Sequence, residues 1–141
     1  MKAGPAFTVA VTFVWLGMVL AISFLEAPLK FRAPHVTLPI GLGIGRLVFR
    51  ALNTVEACFA ILLVAIMLAV PTPAWVFIAV SAAVAALAVQ VIAVRPRLTR
   101  RSDAVLAGAD GPRSRAHYAY VGLEVVKVAA LLAVGVLLLA G

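Results

Sequence analysis

The chain has 141 residues, of which 65% are hydrophobic and 12% are charged. Soluble domains are about half apolar and about a quarter charged, so this composition excludes a soluble globular domain. Twelve Lys and Arg against five Asp and Glu give a net charge of +7. In so apolar a chain, a basic excess indicates charged loops at a membrane surface and argues against a nucleic-acid partner. Cys58 is the only cysteine, which excludes a disulfide scaffold.

Four apolar runs follow one another along the chain, each close to the roughly 20 residues that cross a bilayer core. The sequence therefore predicts an all-α fold, a polytopic membrane protein built as one bundle of four transmembrane helices. We place the spans at residues 7–27, 47–70, 74–94 and 117–140. Pro28 closes the first span and Pro96 the third, because proline interrupts a helix, while Pro71 and Pro73 turn the chain between the second and third.

The loops between these spans, residues 28–46 and 95–116, carry most of the basic residues. They are Lys30, Arg32, Arg46, Arg95, Arg97, Arg100, Arg101, Arg113 and Arg115. By the positive-inside rule both loops are cytoplasmic and both termini lie outside. Arginine outnumbers lysine nine to three, a bias typical of GC-rich bacteria, so we predict a multi-pass protein of the bacterial inner membrane. We expect these arginines to fix the topology, and contact with anionic lipid headgroups is the alternative.

Polar side chains within the spans point to a site, because ionisable groups in hydrocarbon are costly and usually face a partner or a cavity. At 100° per residue they fall on one face of the second span (Arg46, Arg50, Asn53, Glu56) and on one face of the fourth (His117, Tyr120, Glu124, Lys127). Glu56 lies ten residues after Arg46 and Lys127 ten residues after His117, so each is about 15 Å deep, which predicts that they pair.

Glu26 and Gln90 add a polar group near the cytoplasmic ends of the first and third spans. All four helices thus contribute polar side chains to the cytoplasmic half, whereas the outer half is apolar. A through-pore would need polar residues over the full depth. We therefore predict an inward-facing polar pocket that binds or transports a small solute or ion. The alternative is that the same side chains only fasten the helices together.

Nothing in the sequence predicts catalysis or metal binding. No serine or cysteine nucleophile has an adjacent base, and His35, Cys58 and His117 do not form a metal-ligand spacing. We accordingly predict no catalytic residue, no metal and no evident cofactor, and the pattern favours a protein that is not an enzyme.

Several short motifs resemble a group of small four-helix membrane proteins similar to the human transmembrane protein associated with platinum-drug resistance. They are Trp15-x-Gly17, Ala27-Pro28-x-x-Phe31, Gly45-x-x-x-Phe49 and the histidine, His117, that precedes the last span. The function of that group is largely unknown. The resemblance implies the four-helix fold and its topology, and it implies no chemistry.

The second span also carries Arg50-x-Leu52-Asn53-x-x-Glu56, which resembles the second-helix motif of the membrane-associated eicosanoid and glutathione metabolism family. That resemblance implies a trimer in which Arg50, Asn53 and Glu56 contact glutathione, and hence a glutathione-dependent transferase. A structural or accessory subunit of a membrane complex is a further alternative, and it implies co-purifying partners. A homo-oligomer is compatible with each of these interpretations.

Overall fold

The computed structural model describes residues 2–108 and 115–141. Their fold is four long helices: α1 (Ala3–Arg32), α2 (Leu38–Ala69), α3 (Ala74–Leu106) and α4 (Arg115–Ala140). Each helix is long and apolar enough to cross a membrane. The predicted all-α architecture is confirmed, and four such helices support a multi-pass membrane protein.

The helices extend well beyond the predicted spans. Of the predicted loop 28–46 only residues 33–37 are not helical, and much of the predicted loop 95–116 is the last part of α3, which runs to Leu106. Most of the described part of both predicted loops is thus helical, whereas the bounds of the spans within the membrane stay a prediction. Arg113 lies outside the described residues.

The reason is that neither Pro28 nor Pro96 ends its helix. A π-helical segment precedes each proline, Leu20–Glu26 in α1 and Gln90–Val94 in α3. Proline removes one backbone donor, and its ring crowds the carbonyl group four residues earlier. A wider π-helical turn at that point leaves room for the ring, so both helices continue past the residue that was expected to stop them.

A short turn brings α1 and α2 together at the basic end of the bundle. His35 occupies the left-handed region at φ 69°. The Thr37 hydroxyl then caps α2 by accepting a hydrogen bond from the Ile40 backbone N–H at 3.4 Å. Gly41 lies in the first turns of α2, where a Cβ atom would collide with the Phe31 ring of α1. A side chain at that position would push the two helices apart.

The apolar core fills the half of the bundle that holds the chain termini. All four helices contribute fully buried side chains to it: Trp15, Val19, Leu63, Val80, Ala83, Leu131 and Val134. α4 packs against both α1 and α3, and α2 packs against α1. This half is closed by hydrocarbon packing, so any polar site lies in the other half.

Two glycines of α4 give a matched test of this packing. A Cβ atom at Gly135 would lie 2.6 Å from the Phe13 ring of α1, whereas a Cβ atom at Gly122 meets nothing within 4 Å. We expect Gly135→Ala to destabilise the protein by about 1–2 kcal/mol through overpacking. Gly122→Ala should be neutral or slightly stabilising, because alanine favours helix. Thermal unfolding in detergent measures both, and equal effects would contradict the close approach of α1 and α4.

Candidate functional site

Lys127 of α4 is the centre of a fully buried polar cluster. Its ammonium group forms ion pairs with Glu56 of α2 and, at 2.6 Å, with Oε1 of Glu124. It also donates a hydrogen bond to Gln90 Oε1 of α3 at 2.8 Å. Each of these four side chains is at most 1% exposed. The pairing predicted from equal depth in α2 and α4 is present, and all three ammonium protons have acceptors.

Both carboxylates of this cluster are further hydrogen-bonded by neighbouring helices. Trp15 Nε1 of α1 donates to Glu56 Oε2 at 2.8 Å, and Asn53 Nδ2 donates to Glu56 Oε1 at 3.3 Å. Gln90 Nε2 donates to Glu124 Oε1 at 3.1 Å. Glu124 Oε2 lies 2.5 Å from the Ser23 hydroxyl of α1. Each carboxylate oxygen of Glu56 and Glu124 therefore has a hydrogen-bond partner, which offsets part of the free-energy cost of burying the two charges.

A second layer of side chains separates the cluster from the basic end. Tyr120 OH accepts from Asn53 Nδ2 at 3.3 Å, and Asn53 Oδ1 accepts from Arg95 Nη2 at 3.2 Å. The Arg95 guanidinium lies 4.9 Å from the Tyr120 ring centroid and 5.3 Å from that of Phe49, a geometry typical of cation–π contact. Asn53, Tyr120 and Arg95 thus lie between the buried Glu56–Lys127 ion pair and a space in the basic half of the bundle.

That space is a cavity of about 1140 Å³ in the basic half of the bundle. It is bounded by the end of α1, the first part of α2, the second half of α3 and the start of α4. Six of the predicted site residues line it: Arg46, Arg50, Asn53, His117, Tyr120 and Glu124. The other four do not. Glu56, Gln90 and Lys127 lie in the buried cluster, and Glu26 lies near the surface, where it faces Lys30 at 3.9 Å.

Positive charge dominates the ionisable lining of the cavity. The described residues place five cationic side chains (Lys30, Arg46, Arg50, Arg95, Arg101) there against the single carboxylate of Glu124. Apolar and aromatic side chains form much of the remaining wall, among them Phe24, Phe31, Leu42, Leu47 and Leu98. The cavity therefore combines an anion-attracting field with apolar surface.

Three arginines that line the cavity differ in their ion pairs and hydrogen bonds to other side chains. Arg46 pairs with Asp103 at 2.8 Å, but both side chains are exposed, so the pair is weak. Arg50 forms no ion pair with any described residue. Arg95 Nε is buried and has no hydrogen-bond partner within residues 2–108 and 115–141. Arg50 and Arg95 thus retain hydrogen-bond donors that can serve a bound anion.

Sequence reasoning missed three residues of this site. Trp15 and Ser23 are eight positions apart on α1, which places them on one helix face, and they contact Glu56 and Glu124, respectively. This spacing was visible in the sequence, but Glu26 was chosen as the polar residue of that span. Arg95 was assigned to a loop because Pro96 follows it.

Comparison with protein-family models, curated proteins and solved structures finds no match to this chain. Both family resemblances stay predictions. In the described part of the chain, no group of three or more His, Cys, Asp or Glu side chains is arranged to hold a metal ion.

Proposed function

We propose that this membrane protein binds, and by binding transports, a small anionic solute in the cavity of its basic half. The observation that carries the proposal is the lining, in which five cations face one carboxylate among residues 2–108 and 115–141. An anion entering the cavity gains favourable electrostatic energy in a region of low dielectric constant. Arg50 and Arg95 retain donors for a phosphate or carboxylate group, and arginine binds such groups with two parallel hydrogen bonds.

The apolar wall narrows the class of solute. A fully hydrophilic anion such as free phosphate would leave the surface formed by Phe24, Phe31 and Leu98 uncovered. An amphipathic anion covers it, with the charged group at the arginines and the hydrocarbon part against the wall. A lipid headgroup with part of its acyl chain and a soluble amphipathic acid share this chemistry.

We further propose that the cavity faces the cytoplasm of a bacterium and that both termini lie outside. In an up-and-down bundle, the end of α1, the start of α2, the end of α3 and the start of α4 lie at one end, and these segments carry the basic residues. Of the described basic residues only Lys2 lies near the opposite end. The positive-inside rule supports an inner-membrane protein in this orientation.

The buried cluster has a structural role in this proposal. Glu56, Gln90 and Lys127 contact neither the cavity nor solvent, and their polar atoms are bonded to one another and to Trp15 and Asn53. Such contacts fasten helices, at about 0.6 kcal/mol per hydrogen bond on average. Fastening and solute binding are thus assigned to adjacent layers of the same half.

Thermal unfolding in nanodiscs of zwitterionic lipid tests the anion proposal. We expect octyl phosphate to raise the Tm by several degrees, since a ligand at about 100 times its Kd stabilises a protein by about 2.7 kcal/mol. Octylamine, with the same chain and the opposite charge, should not. Inorganic phosphate should raise the Tm only slightly.

In nanodiscs of anionic lipid, loss of the Tm increase caused by octyl phosphate would identify the lipid headgroup as the occupant, and its persistence would identify a soluble solute.

Two exposed arginines provide the matched control. Arg50 lines the cavity and Arg32 does not. Arg50→Gln should reduce the Tm shift caused by octyl phosphate at least several-fold, while Arg32→Gln should leave it unchanged. Equal stabilisation by octylamine, or equal effects of the two substitutions, would contradict a specific anion site.

The glutathione-dependent transferase stays a second proposal because two residues of its motif, Arg50 and Asn53, line the cavity. The third, Glu56, is enclosed by Trp15, Asn53 and Lys127 and is 0% exposed. A ligand would have to open that cluster to reach it. Adding glutathione to the unfolding series, with the oligomeric state in detergent, tests this alternative, which requires a trimer stabilised by glutathione.

A further inference from the structure

We infer that a phospholipid of net negative charge docks into the cavity from the side, through a window between α2 and α3. The window is defined by the side chains at its edges, Thr54 and Ala57 of α2 and Val91 of α3. The lipid phosphate lies between Arg50 and Arg95, and an acyl chain passes through the window into the hydrocarbon of the bilayer. This inference rests on the proposed anion site and identifies its ligand as a membrane lipid.

The window lies where α3 changes to a π-helical turn. α2 packs closely on α3 on either side of the π-helical segment Gln90–Val94, and it packs less along the segment itself. Val91 is 42% exposed and yet lines the cavity. Thr54 and Ala57 of α2 are also exposed and also line it. Side chains that are both exposed and part of the lining mark a place where the cavity opens at the side of the bundle.

The depth of the window favours a ligand from the bilayer. Ala57 lies past the midpoint of α2, which runs from Leu38 to Ala69. Ala57 and Val91 directly follow Glu56 and Gln90 of the buried cluster. With the basic end of the bundle at the membrane surface, the window therefore lies beside the hydrocarbon core. A water-soluble solute enters from the basic end and needs no opening at this depth, whereas a lipid chain requires one.

One face of α2 leads from a cation to the window. Arg50, Thr54 and Ala57 are spaced four and three residues apart, so they share a helix face, with Ala57 about 10 Å deeper than Arg50. The Thr54 hydroxyl donates to the Arg50 backbone carbonyl at 2.9 Å, so its proton is satisfied within the helix. The polarity of this face thus changes with depth as it does in a lipid molecule, from charged near the membrane surface to apolar near the centre.

Two arginines form the headgroup site. Arg50 is exposed and forms no ion pair with any described residue, although a charged side chain within a membrane span usually has a partner. The Arg95 guanidinium lies over the rings of Tyr120 and Phe49. Its hydrogen bond to Asn53 further fixes it at the cavity wall. Because arginine binds phosphate through paired hydrogen bonds, a lipid phosphate supplies the anion that Arg50 lacks.

The size of the cavity agrees with such a ligand. Sites for drug-sized molecules have volumes of roughly 300–1,000 Å³, and this cavity has about 1140 Å³. A short amphipathic acid would leave much of that space to water, whereas a lipid headgroup with part of its acyl chains fills more of it.

Competition between two lipids for the whole protein in dodecyl maltoside tests the inference. Dioleoyl phosphatidylglycerol and dioleoyl phosphatidylcholine share their acyl chains and differ in net charge, and native mass spectrometry counts the molecules of each that stay bound. We expect one phosphatidylglycerol to bind about tenfold more tightly than phosphatidylcholine, the effect of one hydrogen bond to a charged group. Arg50→Gln should remove this preference, and Arg32→Gln, at an exposed position outside the cavity, should retain it.

A second pair of variants tests the window itself. Ala57→Phe places an aromatic ring in the window, whereas Ala51→Phe adds the same ring at an exposed position of α2 outside the cavity. The first substitution should weaken phosphatidylglycerol binding at least several-fold, and the second should leave it unchanged. Circular dichroism shows whether each variant keeps its helix content.

Equal binding of the two lipids, or equal effects of the two phenylalanine substitutions, would overturn the inference. The unfolding series with octyl phosphate distinguishes this failure from a failure of the proposed function. If octyl phosphate still raises the Tm of the wild type, the anion site stands and its ligand is a soluble solute. If octyl phosphate has no effect either, the anion site itself is contradicted.

Discussion

Replacing Lys127 with methionine should destabilise the protein by about 3–5 kcal/mol, the range found when one partner of a buried ion pair is removed. Its ammonium group is 0% exposed and bonds Glu56, Glu124 and Gln90. Methionine keeps the length of the side chain and loses the charge. Both carboxyl groups must then be protonated or remain as buried charges, and either state costs free energy.

The same geometry predicts that Glu56→Gln costs much less, about 1 kcal/mol. Loss of the Glu56 charge leaves Lys127 paired with Glu124 alone, which is a neutral pair. The glutamine carbonyl can still accept from Trp15 Nε1 or Asn53 Nδ2, so few polar atoms lose their partners. The pair predicted from the sequence, one acid and one base, would have made the two losses equal. The second carboxylate on Lys127 makes them unequal.

Combining the substitutions tests this asymmetry. In a Lys127→Met background, Glu56→Gln should recover part of the lost stability, and adding Glu124→Gln should recover most of it, because each change removes a carboxyl group that lacks a cation. Unfolding in detergent, monitored by circular dichroism, gives the free energies. Additive losses, or equal losses for Glu56→Gln and Lys127→Met, would show that Lys127 does not bridge the two carboxylates.

The polar faces could be predicted because helical periodicity and depth are properties of the sequence alone. Arg50, Asn53 and Glu56 share a face of α2 in any regular helix, and Glu124 and Lys127 share one in α4. The sequence does not show which polar atoms face a cavity and which are enclosed. We therefore predicted a single pocket for all of these residues. The structure separates them into a buried cluster and a cavity lining.

The ends of the helices could not be predicted for a different reason. Proline rules assume a regular α-helix, and α1 and α3 each change to a π-helical turn before Pro28 and Pro96. Each π-helical turn also shifts the angle, about the helix axis, at which the following side chains project. The positions of site residues on α1 and α3 were therefore predicted less well than those on α2 and α4. Glu26 was expected in the pocket and lies outside it, while Arg95 was expected in a loop and lies over Tyr120.

The layers of the site give the proposals a common physical basis. Lys127 and Glu56 keep the four helices in register, and the Glu124 carboxyl group connects that enclosed cluster with the cavity. The positive lining attracts an anion, and the enclosed cluster holds together the helices that carry this lining.

Labelling of engineered cysteines is expected to give an all-or-none answer about which side of the membrane the cavity faces. Cys58 is exposed and unpaired, so a Cys58→Ser background removes the native thiol. Ala107→Cys then places a thiol at the basic end of α3, and Gly141→Cys places one after the end of α4, both at exposed positions. With the basic ends in the cytoplasm, a membrane-impermeant maleimide should label Gly141→Cys in intact bacterial cells and should label Ala107→Cys only after permeabilisation. Labelling of both variants in permeabilised cells shows that each thiol can react. The reverse pattern in intact cells would place the cavity on the outside and would require the anionic solute to come from there.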